Sequence, residues 1–240
     1  MNATHLSPRL EKVAQFVQQY ASTPIRLADI GSDHAYLPCY LALKNVIEYA
    51  VAGEVVEGPF QAAKKEVTQQ GLSNTISVRK GNGLAVVERE DAINTITICG
   101  MGGALIQTIL EEGQAVLTKE TTLILQPNVA EHLVREWLMA HHYEIIDETL
   151  IEDHHRLYEI IVAKPVQQPV FLSEKEQLFG KFNLQQKTAL FCQKWRQEQA
   201  NLTKIRENLL KATHIQPDKL QQIEQKIAWI AEFLGQEDEA

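Results

Sequence analysis

Short β-rich runs and helical stretches alternate along the first half of the chain. Helix-forming segments such as PFQAAKKEVTQQG and GGALIQTILEEG separate the runs. The β-rich runs cover residues 25–30, 49–53, 76–79, 95–99 and 121–126. Alternation of this kind predicts a mostly parallel sheet covered by helices, with ligands bound at the carboxyl ends of the strands, near the point where strand order reverses.

Two longer β-rich runs, residues 143–151 and 156–163, follow this alternation. The space between them allows only a tight connection. Because no crossover helix fits there, we predict that these two strands are antiparallel. A six-stranded dinucleotide-binding fold would instead continue in parallel. The predicted fold class is therefore α/β, a Rossmann-like sheet with an antiparallel last strand pair.

Both ends of the chain have helical patterns. At the start, Ser7 and Pro8 have the positions of an N-cap and a first helical residue before an amphipathic helix. Beyond the last strand the composition shifts to Gln, Lys, Glu and Leu, and we predict a helical hairpin, packed as an antiparallel coiled coil, over residues 173–235. Its seam comprises Phe191, Trp195, Leu202, Ile205 and Leu209, interrupted by Glu198, and then Leu220, Ile223, Ile227, Ile230 and Leu234. The predicted domains are residues 1–165 and 166–240.

The charge is unevenly distributed along the 240 residues, whose net charge is −8. Residues 1–165 carry 13 basic and 21 acidic side chains, and residues 166–240 carry 10 of each. This pattern does not indicate a broad polyanion-binding surface, so a nucleic-acid partner would need a local patch of basic residues.

No apolar run approaches the roughly 20 residues that span a bilayer, and the N-terminus lacks a secretory signal. We expect a soluble, cytoplasmic protein with no membrane partner.

Cysteine and histidine spacing does not indicate a metal site. Cys39, Cys99 and Cys192 are odd in number and far apart, which disfavours both a disulfide framework and a cysteine zinc site. The pairs 141–142 and 154–155 are adjacent histidines, which point to opposite faces of a strand and make poor ligand sets. We expect no bound metal, and the sequence does not decide the oligomeric state.

The segment LADIGSDHAYLP, at the end of the first strand, departs from a phosphate-binding loop. Gly31 supplies the turn, but Asp33 stands where a second glycine would let the backbone approach a pyrophosphate. A carboxylate there would repel a pyrophosphate and would suit a cationic ligand without phosphate, such as S-adenosylmethionine. Asp29, at the end of an apolar strand, is costly to bury unless it is paired, so we predict that it orients the methionyl end of that ligand.

The next two strand ends carry further candidate cofactor-binding residues. Glu54 ends the second strand, a position from which an acid accepts hydrogen bonds from ribose hydroxyls, and Val55 follows it. After the third strand, Gly81, Asn82 and Gly83 place an amide that could read the edge of an adenine ring.

The string CGMGG follows the fourth strand and contributes Cys99, Gly100 and Met101 to the predicted cofactor site. Its glycines let the backbone lie against a flat ligand, and Met101 could cover that ligand. Arg9, beside the proline that opens the first helix, could clamp the carboxylate of the cofactor or a phosphate of RNA, because a guanidinium forks onto both. A solvated surface arginine is the alternative for Arg9.

The strings ADIGSDHAYLP, AGEV, GNGL, ICGMGG and LQPN, followed by an antiparallel strand pair, resemble those of class I S-adenosylmethionine-dependent methyltransferases. More narrowly, the chain resembles the TrmK family of bacterial tRNA (adenine(22)-N1)-methyltransferases along its whole length, including the C-terminal hairpin. DIGSDHAYLP and CGMGG are the most specific strings. The resemblance implies transfer of a methyl group from S-adenosyl-L-methionine to N1 of adenine 22, in the D-arm region of tRNA.

The chemistry of adenine N1 agrees with the residues present. Methyltransferases of exocyclic amines often place Asp or Asn, two prolines and an aromatic residue after the fourth strand, where this chain has GMGG. Adenine N1 has an in-plane lone pair, so orientation can suffice without a strong base, once the base is unpaired or extruded. We predict catalytic roles for His34 and Asn128, and contacts to the base from Tyr36 and Asn128. The alternatives are a turn-fixing His34, an Asn128 that caps a helix, and a Tyr36 that only packs.

Three rival functions stay open at this point. One is a methyltransferase with another substrate, either a different RNA or a small molecule. The second is a non-catalytic adaptor, which intact Gly31, Glu54 and Asn82 disfavour. The third is a nicotinamide dehydrogenase, which Asp33 and the antiparallel strand pair disfavour.

Overall fold

The computed structural model describes residues 1–211 and 217–235. Their contacts divide the chain into two compact units, Met1–Phe182 and Asn183–Ala240. The first unit contains the sheet, and the second contains helices among its described residues.

The sheet of the described part of the chain has seven strands in the order β3-β2-β1-β4-β5-β7-β6. The strands are β1 Arg26–Ile30, β2 Tyr49–Glu54, β3 Ile76–Lys80, β4 Thr95–Met101, β5 Thr122–Pro127, β6 Tyr143–Asp153 and β7 Arg156–Pro165. β1 to β5 are parallel, and β7 lies antiparallel to both β5 and β6. The predicted fold class is confirmed, including the antiparallel last pair.

Helices precede, separate and follow the strands along the chain. They are α1 Pro8–Tyr20, α2 Tyr36–Leu43, α3 Glu57–Gln69, α4 Gly103–Glu112, α5 Glu131–Ala140, α6 Glu174–Phe179, α7 Lys181–Gln186, α8 Ala189–Lys211 and α9 Pro217–Leu234. The predicted cap at the start of α1 is confirmed, because the Leu10 N–H donates to Ser7 Oγ at 3.5 Å. Among the described residues, no helix combines the length and the apolar character needed to cross a bilayer.

Alternate residues of the central strands supply two separate hydrophobic cores. Leu123 and Leu125 of β5 point into the core beneath α4 and α5, whereas Ile124 points into the core on the other face. This alternation follows from the two-residue repeat of a strand. Because both faces are covered, the central strands are buried along most of their length.

A buried ion cluster joins α5 to the antiparallel strand pair. Arg135, which has no exposed surface, donates through Nε to Glu148 Oε1 at 2.6 Å and through Nη2 to Glu159 Oε2. Burial disfavours the charge on Arg135, but the two carboxylates outweigh burial and hold its pKa above the usual value. Burial also raises the pKa of Glu148. Removing one partner of such a cluster typically costs about 3–5 kcal/mol, since it leaves a buried charge uncompensated.

The same cluster attaches the segment after β7 to the first unit. Arg135 Nη1 donates to the carbonyls of Gln177 and Leu178 at 3.3 and 3.4 Å, and the Phe182 N–H donates to Glu148 Oε2 at 3.0 Å. The division into units therefore falls after Phe182, beyond the domain boundary predicted after residue 165. The assignment of functional domains stays a prediction.

The second unit confirms a helical C-terminal region but corrects the extent of the predicted hairpin. α8 and α9 pack against each other, with the Phe191 and Phe233 rings 5.1 Å apart. The hairpin was expected from residue 173, but residues 174–186 form two short helices separated at Gly180, whose φ is 85°. Ile205, predicted in the seam, is 43% exposed. The connection at 212–216 lies outside the described residues.

Gly103, the first residue of α4, allows that helix to start against the loop before α5. A β-carbon at this position would lie 2.1 Å from the carbonyl oxygen of Ala130, far inside contact distance. We expect Gly103→Ala to lower the free energy of unfolding by about 2–3 kcal/mol, because backbone must move to admit the methyl group. Denaturant unfolding followed by circular dichroism measures this change.

Gly58 provides the matched control for this substitution. It lies in α3, and a β-carbon there would meet no heavy atom within 4 Å. Gly58→Ala should leave stability unchanged or raise it by up to about 1 kcal/mol. Equal effects of the two substitutions would contradict the packing role of Gly103.

Candidate functional site

A cleft of about 370 Å³ opens at the carboxyl ends of the parallel strands. It lies where β1 and β4 are neighbours and the strand order reverses, which is the usual ligand position in such sheets. The predicted site residues that line it are Arg9, Asp29, Gly31, Asp33, Glu54, Cys99, Gly100, Met101 and Asn128. The structure thus brings together residues from five separate segments of the chain.

The loop after β1 folds back tightly over the end of β2. Gly31 has φ 69°, and its N–H donates to the Gly53 carbonyl at 2.9 Å. The next residues with positive φ are not glycines: Asp33, His34 and Ala35 have φ of 32°, 67° and 55°. Such backbone is unfavourable for L-residues and is concentrated at functional sites.

Asp29 is the most deeply buried acid of the cleft, only 3% exposed. Its Oδ2 accepts from Ser32 Oγ at 2.5 Å, and its Oδ1 accepts from Thr97 Oγ1 at 2.7 Å. Burial raises the pKa of Asp29 to about 6, against the effect of these two hydroxyl donors. We expected a buried acid here to be paired, and the groups that pair with Asp29 are two hydroxyls, not a cation.

Glu54, at the end of β2, faces the cleft with its carboxylate almost fully buried. Oε1 accepts from the Asp33 N–H at 2.7 Å, which ties the β1 loop to β2. Oε2 accepts no hydrogen bond from the described part of the chain, so it can accept one from a ligand. The Gly81 N–H donates to the Glu54 carbonyl at 2.9 Å and places the end of β3 beside this acid.

The β4 loop supplies an apolar wall next to Gly31. A β-carbon on Gly31 would lie 2.1 Å from Met101 Cε, so the methionine packs directly on the turn. Cys99 also lines the cleft, and burial raises the pKa of its thiol well above the usual value, which keeps the thiol neutral.

Arg9 lies inside the cleft and not on the solvated surface. Its Nη1 donates to Gln126 Oε1, and its guanidinium carbon lies 5.2 Å from the centre of the Tyr158 ring. Asp153 Oδ2 is 3.9 Å from Arg9 Nε. The solvated alternative for Arg9 is therefore wrong.

Asn128 does not cap α5. The N-cap of that helix is Ala130, whose methyl side chain makes no capping hydrogen bond. Instead Asn128 Nδ2 donates to the Gly100 carbonyl at 2.7 Å, and Asn128 Oδ1 accepts from Gln126 Nε2 at 3.0 Å. Its amide is exposed at the cleft, where it can contact a ligand.

Several predicted residues are not in the set that lines the cleft. The rings of His34 and Tyr36 stack, with centroids 5.2 Å apart and planes 6° apart, and Val55 is 58% exposed. Asn82 Nδ2 donates to Glu112 Oε2 at 3.4 Å. The others outside the lining set are Gly81 and Gly83. The functional roles of these six residues stay predictions, as do those of the predicted residues that line the cleft.

The sequence did not single out some residues that the structure places in the cleft. These are Met1, Leu10, Ser32, Leu37, Pro59 and Tyr158. Ser32 had a usable signal, since a hydroxyl three residues after a buried acid can turn back onto it. Tyr158 had none, because alternation along β7 does not reveal which loop an aromatic ring will cover.

Comparison with known proteins assigns the chain to a family. The sequence profile of tRNA (adenine(22)-N(1))-methyltransferase, TrmK, matches residues 27–232. The chain belongs to the TrmK family. A Bacillus subtilis (strain 168) tRNA (adenine(22)-N(1))-methyltransferase is 42% identical over 223 residues, which cover 91% of this chain and 92% of that protein.

Two similar structures were solved as complexes with a ligand. One is a Streptococcus pneumoniae relative in complex with S-adenosyl-L-methionine, which is 42% identical to this chain with a TM-score of 0.85. The match covers 96% of this chain and 100% of the relative's chain. The other is TrmK of M. capricolum in complex with S-adenosyl-homocysteine, which is 30% identical to this chain with a TM-score of 0.81. The match covers 96% of this chain and 98% of the M. capricolum chain.

The raised pKa of Asp29 makes a pH-dependent contribution to stability. The folded state binds the proton more tightly than the unfolded chain, so this contribution is complete below about pH 4 and is lost as pH rises through about 6. The shift from 3.8 to about 6 corresponds to about 3 kcal/mol. We expect the unfolding free energy of wild type minus that of Asp29→Asn to fall by most of this amount between pH 4 and pH 7, in urea unfolding. A difference independent of pH would contradict it.

Proposed function

We propose that this protein transfers the methyl group of S-adenosyl-L-methionine to N1 of adenine 22 in tRNA. Membership of the TrmK family, over residues 27–232, carries the proposal. The cleft at the β1–β4 junction is the site of the reaction. The C-terminal helices help to hold the folded tRNA, and the reaction takes place in the cytoplasm, where bacterial tRNA is found.

The charges of the cleft suit a cationic nucleoside without phosphate. Asp29, Asp33 and Glu54 are acids that line the cleft, and Arg9 is a cation that lines it too. The acids favour the sulfonium and amino groups of the donor and disfavour a pyrophosphate, whereas Arg9 favours its carboxylate. The free Oε2 of Glu54 is placed to accept from ribose hydroxyls.

The donor supplies an electrophilic methyl group on sulfur, and the chain positions the adenine that attacks it. Asn128 faces the cleft and can hydrogen-bond the Watson–Crick edge of the base, and the stacked rings of His34 and Tyr36 offer a flat surface beside the β1 loop. Adenine N1 needs no proton removed before attack. The residues of the site therefore act by orientation and by exclusion of water, not as a strong base.

Unmodified bacterial tRNA and labelled donor test the proposal directly. We expect label on N1 of a single adenine, at position 22, because the site accommodates one extruded base. Nucleoside analysis after nuclease digestion identifies the product, and tRNA with adenine 22 replaced by guanine is the matched control. Label on another nucleotide, or on the protein, would refute the proposed function.

Glu54→Ala tests the position of the donor. Losing the hydrogen bonds to the ribose should weaken donor binding by about 1.5–3 kcal/mol, measured by calorimetric titration. Glu54→Gln keeps an acceptor for the Asp33 N–H and separates loss of charge from loss of the loop contact. Glu120→Ala, at an exposed acid before β5, serves as control. Unchanged affinity in Glu54→Ala would place the donor elsewhere.

A further inference from the structure

Gln126 is a fully buried polar residue in β5 that is not among the residues lining the cleft but contacts three of them. Its Oε1 accepts from Arg9 Nη1 and from the Gly100 N–H, the latter at 2.9 Å. Its Nε2 donates to the Pro127 carbonyl at 2.9 Å and to Asn128 Oδ1 at 3.0 Å.

These contacts use the whole hydrogen-bonding capacity of the amide. An amide oxygen accepts two hydrogen bonds and an amide nitrogen donates two, so no group of Gln126 is left unpaired. The orientation of the amide is also determined, because the flipped amide would place its NH₂ group against two donors, Arg9 Nη1 and the Gly100 N–H. A buried network satisfied in this way has one arrangement.

Gln126 thereby sets the orientation of Asn128. Because Oδ1 of Asn128 faces a donor and its Nδ2 faces the Gly100 carbonyl, a flip of the Asn128 amide would break both contacts. One lone pair of Oδ1 and one N–H of Nδ2 remain available toward the cleft. An adenine edge offers an amine donor beside N1, which Oδ1 of Asn128 can accept.

We propose that Gln126 is a positioning residue that joins the two halves of the reaction, holding Arg9 on the donor side and Asn128 on the base side. The inference rests on the proposed function. Gln126 touches neither donor nor tRNA, and it acts through the orientation of these two side chains. Removing the amide oxygen of Gln126 should therefore weaken donor binding, through Arg9. Removing its NH₂ group should instead slow the transfer step, through Asn128.

Two substitutions separate the ends of the amide. Gln126→Glu keeps acceptors for Arg9 and Gly100 but removes the donor to Asn128, so we expect donor affinity within about threefold of wild type and kcat lowered by about tenfold, the effect of one buried hydrogen bond. Gln126→Met removes both ends and should weaken donor binding and kcat by about tenfold each. Gln114→Met, at an exposed glutamine after α4, is the control.

A double variant decides whether the effect passes through Asn128. Asn128→Ala should lower kcat in wild type but add little in Gln126→Met, because the orientation of Asn128 is already lost there. Kinetics are referred to the folded fraction, measured by circular dichroism, so instability alone does not imitate the result. If Gln126→Glu does not fold, the variant that combines Gln126→Met with Asn128→Ala still tests whether Gln126 acts through Asn128.

The outcomes distinguish this inference from the proposed function. Wild type that binds donor but does not methylate adenine 22 would refute the function, whereas active wild type with additive effects in the double variant would overturn the role of Gln126. Equal losses of donor affinity in Gln126→Glu and Gln126→Met would overturn it as well. The positioning role of Gln126 is supported if the kcat effects are non-additive in the double variant and if Gln126→Glu keeps its donor affinity.

Discussion

Asp29 holds a carboxylate at the junction of β1 and β4, in a place that water barely reaches. A buried acid is unfavourable unless its oxygens are hydrogen-bonded, and here the two donors come from different elements. Thr97 belongs to β4, and Ser32 belongs to the loop that turns at Gly31. The acid thus requires both the neighbouring strand and the tight turn. The position of the cleft follows from these two requirements.

The rest of the cleft is arranged around that turn. Because the loop folds back, the Asp33 N–H reaches Glu54, and Met101 packs on Gly31. The buried amide of Gln126 joins α1 to the ends of β4 and β5. The cleft is lined both by acids suited to a sulfonium donor and by the Asn128 amide, which suits a base edge. A methyl transfer needs both, held in a fixed relation.

Sequence reasoning succeeded where the signal was local. The strands and their antiparallel last pair were predictable, since β-rich runs and a short connection leave few topologies. The hairpin was predicted to start at residue 173, and this was wrong because helical periodicity cannot show that Arg135 binds the carbonyls of Gln177 and Leu178. Gln126 was missed for the same reason. A glutamine inside a strand has no pattern of its own, and its meaning depends on Arg9, 117 residues away.

The sequence by itself determined the order of the elements, the antiparallel end of the sheet and the acidic character of the loop after β1. These depend on periodicity, turn residues and side-chain charge, which act within a few neighbouring residues. Only the tertiary structure decided which hydroxyls satisfy Asp29, that Asn128 faces the cleft and does not cap a helix, and that residues 166–182 belong with the first unit. Buried polar groups take whichever partners the packed strands bring within reach, and those partners lie far apart in the chain.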